Sequence, residues 1–182
     1  MYFEGNCKEC RKDRHCCIFK NNSGFAFVGI QDARNIKGRI KKDYSYFLDY
    51  SPLSKKVINL LRYEDPALEG KIRYSQLDKG SLLRLRAKKD GRCIFLNDYG
   101  KCEIYSIRPN VCKIFPFWAM KLTNGRIEVI EHDAYPKCSI VTKDIKENLS
   151  RKKILTIKKI FRKIEKENDY YKKNIKKFVK NL

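Results

Sequence analysis

CKECRKDRHCC, residues 7–17, holds four of the chain's eight cysteines in eleven positions, two of them adjacent. The compartment decides how such crowding is read. MYFEGNCKEC has no charged-then-apolar leader, and the longest apolar runs are FAFVGI (25–30) and IFPFWAM (114–120). Both fall far short of a membrane span of ~20 residues. The expectation is a cytoplasmic protein without a transmembrane segment. In a reducing cytoplasm close-set thiols are metal ligands or redox groups more often than disulfides.

The spacing narrows this further. In Cys7-x2-Cys10 a tight turn can aim two sulfurs at one metal, half of a four-thiolate site for zinc or an iron–sulfur centre. Neighbours in an extended chain point to opposite sides. One of Cys16 and Cys17 is therefore expected in the first site, with the other in a second site or inside the fold; a local turn would bring both to one cluster. The spacers KE and RKDRH are too polar for a core strand. Cys93, Cys102, Cys112 and Cys138 all lie at turns or element ends, beside the NDYGK loop, Arg108-Pro109 and Tyr135-Pro136. Eight cysteines make two four-thiolate sites, or one site with buried spectators. A lone cysteine is often a small core residue, and that reading competes for Cys138. His15 and His132 are further zinc ligands by type, though thiols are not in short supply.

These motifs resemble the YkgJ-type cysteine-cluster family, whose signature is of the CxxCxxCC kind. The resemblance rests on Cys7-x2-Cys10-x5-Cys16-Cys17, Cys93-Ile94-Phe95-Leu96, and the run from Cys102 through Arg108-Pro109-Asn110-Val111-Cys112 to Phe117. It implies a zinc- or iron-chelating domain whose site uses the head cysteines with Cys93, Cys102 and Cys112. The related flagellin lysine methylases have a similar cysteine head, which favours iron–sulfur over zinc and raises a redox or methyl-transfer role. Two departures stand out: a longer spacer between Cys10 and Cys16, and Lys113 where family members often have Arg. Neither removes a ligand. Arg108 is a candidate donor to metal-bound sulfur, or a surface arginine before a rigid proline.

Around the thiols the pattern is mixed α and β. GIQDARNI reads as a short helix, and Ser51-Pro52 reads as the start of a second helix running through Leu61 to about Asp65. KIRYSQL (71–77), SLLRLRAK (81–88) and RCIFL (92–96) read as strands, the last two joined by KKDG. EIYSIRPNVCKIF suggests a helical turn broken at Pro109. FWAMKL and RIEVIE flank a turn at Asn124-Gly125. After Thr142 no Gly or Pro occurs, and Ile157, Ile160, Ile164, Tyr171, Ile175, Phe178 and Leu182 form one apolar stripe of helical period.

The formal charge is +21, from 42 Lys or Arg against 21 Asp or Glu. Residues 143–182 hold 15 of the basic and 5 of the acidic residues, almost half the excess. Such a tail could track nucleic acid, lie on an anionic membrane or meet an acidic partner. It could equally pack its stripe on the domain while lysines solvate the outside.

The predicted architecture is α+β: a small antiparallel sheet with short helices, a metal-stapled cysteine-rich N-terminal loop and a long basic C-terminal helix. Residues 1–142 form the cysteine-cluster metal-binding domain and 143–182 the helical extension. The expected function is binding of zinc or an iron–sulfur cluster through Cys7, Cys10, Cys16, Cys17, Cys93, Cys102, Cys112 and Cys138. A nucleic-acid-binding module with structural metal is the alternative. With 42% hydrophobic residues and many aromatics, a disordered chain is excluded. No paired carboxylates, Ser-His-Asp pattern or phosphate loop stands out, and Gly24-x4-Gly29 lacks the Lys-Ser/Thr of a P-loop.

Overall fold

The structure is a computed structural model that describes residues 17–18, 26–63, 76–115, 117–131 and 149–182. In chain order the described elements are α1 (Ile30–Ile40), α2 (Tyr44–Phe47), β1 (Leu48–Asp49), α3 (Lys55–Tyr63) and β2 (Arg84–Leu85). A 3-10 turn (Tyr105–Ile107), α4 (Asn110–Ile114), β3 (Phe117–Lys121), β4 (Ile127–Glu131) and α5 (Arg151–Val179) follow. Among the described residues, short helices, two small antiparallel sheets and one long C-terminal helix make an α+β fold.

β1 pairs with β2, Leu48 opposite Leu85 and Asp49 opposite Arg84. The cross-strand pair is tied by charge: Arg84 Nε donates to Asp49 Oδ2 at 2.7 Å and Nη2 to Ser51 Oγ at 2.7 Å. Leu83 and Leu85 are buried while Arg86 is exposed, as the alternation predicts. The chain then turns through Gly91 (φ 81°), and Ala87 pairs with Cys93. β3 and β4 form the hairpin read at Asn124-Gly125, with Phe117 opposite Glu131 and Lys121 opposite Ile127. Gly125 takes φ 80°, a conformation that side chains other than glycine's rarely tolerate.

α5 is long because nothing in its sequence breaks it and because its stripe is covered. Ser150 caps it, its side chain accepting the Lys153 N–H. Ile157, Ile160, Phe161 and Ile164 close one apolar cluster with Trp118, Phe117, Ala119, Ile127 and Ile114. Tyr171, Ile175 and Phe178 belong to a second, with α1, Phe47, Leu83 and Phe95. Each such side chain contributes roughly 1.5–3 kcal/mol on burial. Leu182, the last residue of the stripe, is half-buried.

Three local expectations need correction. The helix expected from Ser51-Pro52 starts at Lys55, with Ser54 Oγ accepting the Val57 N–H. Ser51 is held instead by Asp49 and Arg84, and Pro52 bridges Ser81. The first helix is longer than GIQDARNI, reaching Ile40 before Lys41 ends it in the left-handed region. The strand expected over 81–88 is reduced to Arg84–Leu85 flanked by single bridges at Ser81 and Ala87. Most of the strand expected over 71–77 lies outside the described residues.

Candidate metal centre

Cys17, Cys93, Cys102 and Cys112 are described; Cys7, Cys10, Cys16, Cys138, His15 and His132 lie outside the described residues. The last residue of the cysteine head meets the middle of the chain directly. The Cys93 N–H donates to the Cys17 carbonyl at 2.7 Å, and Ile18 pairs with Arg92 in an antiparallel bridge. Thiols 76 positions apart in the sequence thus sit on hydrogen-bonded segments.

Cys93 and Cys102 are joined by a closed loop. Cys93 O accepts from Leu96 N at 2.9 Å, and Leu96 pairs with Cys102. Between them Asn97 holds the tip: its carbonyl accepts from Gly100 N and its side-chain oxygen from Lys101 N, both at 2.8 Å. Asn97 does this because a short amide side chain can replace a backbone acceptor two or more residues on. Cys102 O then accepts from Tyr105 N at 3.2 Å, leading the chain into the 3-10 turn and α4, which carries Cys112.

All four described cysteines belong to one apolar cluster. Cys93 is a buried member, and Cys17, Cys102 and Cys112 pack against it beside Phe95, Leu96, Ile104 and Val111. Among the described residues no three His, Cys, Asp or Glu side chains gather into a metal-binding group. In donor chemistry the four described thiols are of the soft-metal kind, and backbone bonds tie the segments of Cys17, Cys93 and Cys102 to one another.

Two buried charged side chains, Arg108 and Asp32, flank this region. Arg108 is buried, 6% exposed, with its guanidinium 4.2 Å from the centre of the Tyr105 ring. It is therefore no surface arginine. Asp32 of α1 was missed altogether. It is 8% exposed, and its Oδ2 accepts the Asn110 N–H at the start of α4, at 2.9 Å. Burial pushes its carboxyl up to about 6, against the opposing pull of the Asn110 N–H and the Lys113 charge. A carboxylate from one helix capping another, 78 residues on, leaves no local signal. The nearest hint is an aspartate in an otherwise apolar position of the helical period.

No solved structure matches the chain. Among the described residues no helix is long and apolar enough to cross a membrane. The CxxCxxCC family model, described as a zinc- or iron-chelating domain, matches residues 6–146, and so takes in all eight cysteines together with Arg108 and Asp32. The chain belongs to the CxxCxxCC family.

Proposed function

We propose that the chain binds zinc or iron through a thiolate centre that staples the N-terminal cysteine loop to the 93–112 region. The observation that carries this reading is the Cys93 N–H to Cys17 carbonyl bond at 2.7 Å, which sets the end of the head against the loop of Cys93 and Cys102. In this reading Cys7, Cys10, Cys16 and Cys17 supply ligands from the head, and Cys93, Cys102, Cys112 and Cys138 from the rest of the domain. A bound metal supplies the ligation that lets a head as polar as KECRKDRH dock without burying apolar surface. A closed zinc site contributes on the order of 10 kcal/mol. Phe95, Leu96 and Ile104 would exclude water from the sulfurs, which favours an iron–sulfur cluster, whose potential depends on such shielding. Arg108 would offset thiolate charge from within the fold.

The division proposed at 142–143 is one of role: all eight cysteines lie before it, and 15 basic against 5 acidic residues follow it. The test is anaerobic purification with metal and acid-labile sulfide analysis, alongside the Cys17→Ser and Cys93→Ser variants. Stoichiometric zinc, or iron with sulfide, that falls in both variants supports the proposal. Metal content indifferent to both overturns the assignment of these two ligands.

A further inference from the structure

α1 and α5 lie side by side and run in the same direction. The Gln31 N–H donates to Glu167 Oε1 at 2.9 Å, an offset of 136 residues. One turn further, Arg34 stands over the Tyr170 ring at 5.6 Å, at the same offset. Beyond α1, Tyr44 makes an edge contact with Phe178, ring centres 4.8 Å apart.

The seam between these helices carries a repeating pattern. On α1 and its C-cap it runs Arg34, Lys37, Lys41; on α5 it runs Tyr170, Lys173, Lys177. The spacing i, i+3, i+7 keeps Tyr170, Lys173 and Lys177 on one face of α5 and Arg34 and Lys37 on one face of α1, while Lys41, at φ 56°, has left the helix. Arg34, Lys41, Tyr170, Lys173 and Lys177 are exposed; Lys37 is already engaged, its Nζ 3.3 Å from Asp43 Oδ1 and 4.5 Å from the Tyr44 ring centre. Gly38 between them adds no bulk, and a Cβ built there would meet nothing within 4 Å. The result is five cations and one phenol along about 10 Å of the two helices, with the Arg34–Tyr170 pair at one end.

We propose that this seam binds single-stranded nucleic acid. The lysines would follow the phosphates, displacing counterions, and the Arg34–Tyr170 pair would offer a platform on which a base stacks. A duplex keeps its bases inside and gains nothing from that platform. An anionic membrane fits less well, because a helix resting on lipid needs an open apolar face. The stripe of α5 is turned inward, and among its described large hydrophobic residues only Leu155 and Tyr170 are exposed. The inference is independent of the metal reading, since none of these residues belongs to the cysteine region.

The test uses the full-length chain and fluorescein-labelled oligo(U) and oligo(dT), followed by anisotropy as salt is raised. Matched duplex and phosphatidylserine vesicles serve as competitors. Single strands should bind about tenfold or more tighter than the duplex. Lys173→Gln with Lys177→Gln should reduce the salt slope by about 1.4, two phosphate contacts. Tyr170→Ala should weaken binding about tenfold while Tyr170→Phe retains it. All of these positions are at the surface, and unchanged melting curves would confirm that the variants fold. The proposal is overturned if duplex or vesicles compete as well as single strands, if no strand binds, or if binding ignores the Tyr170 and lysine variants.

Discussion

Asp32 Oδ2 accepts the backbone N–H of Asn110 at 2.9 Å, two residues before Cys112. Glu167 Oε1 accepts the N–H of Gln31 in the same way. Two carboxylates thus cap two helices in succession: α5 holds the start of α1, and α1 holds the start of the helix that carries a candidate ligand. Orphan N–H groups and the positive end of the helix dipole explain why carboxylates are used.

The raised pKa of Asp32 sets the sign of a pH effect. Its folded-state value of about 6 lies above the ordinary 3.8, so the folded protein holds this proton more tightly than the unfolded chain. Its contribution is full below about pH 4, declines as the pH rises to about 6 and is level above, for a total on the order of 3 kcal/mol. Asp32→Asn keeps an acceptor oxygen but cannot ionise. Denaturant melts from pH 4 to 7 should show the Asn variant gaining on the parent as pH rises. A difference that is flat or falls with pH contradicts the assignment.

Gly29 is the place where the Glu167 cap can be broken. A Cβ there would stand 2.8 Å from Glu167 Cγ, closer than real contacts allow. Gly29→Ala should displace the carboxylate and cost about 1 kcal/mol. Glu167→Ala should cost a similar amount. Because both remove one contact, the double variant should cost little more than either alone. Full additivity would show that Gly29 and Glu167 act separately.

The hydroxyl of Tyr171 is the acceptor for a backbone donor in the core. Leu83 N–H donates to Tyr171 Oη at 2.9 Å, and Tyr171 is fully buried with its ring 5.5 Å from Phe27. Burial moves its hydroxyl well above the usual tyrosine range. Tyr171→Phe keeps the packing and leaves the Leu83 N–H without this partner, at a cost of about 1–3 kcal/mol in thermal or denaturant unfolding. An unchanged melting curve would mean that the bond contributes nothing.

The start of α5 is electrostatically unfavourable as it stands. Arg151, Lys152 and Lys153 occupy its first turn, which contains no acidic residue. Lys152→Glu should therefore raise stability by about 0.3–1 kcal/mol at low ionic strength, an advantage that added salt removes. A gain that persists in high salt would point to another cause.

What the sequence made legible is local. The Asn124-Gly125 hairpin follows from a turn that needs positive φ between two alternating runs. α5 follows from an apolar period unbroken by Gly or Pro. The start of α3 was misplaced because Ser51 is a good cap by type, yet here its hydroxyl is claimed by Arg84, 33 positions on. The extent of α1, the Asp32 cap and the Arg34–Tyr170 pair depend on partners far along the chain, and no window of sequence contains both members. The cysteine site divides in the same way. Spacing identifies the thiols as a set, but which ones share a metal depends on long-range contacts such as that of Cys17 with Cys93, and half of the set lies outside the described residues.

The central claim is that thiols from both ends of this set hold one metal centre. Metal and sulfide analysis of anaerobically purified protein tests it most directly, with the parent compared against Cys17→Ser and Cys93→Ser. The account predicts zinc, or iron with labile sulfide, in whole-number ratio to the chain, with a loss of metal and of folding stability in both variants. A parent that carries neither metal, and variants that melt where the parent melts, would contradict it.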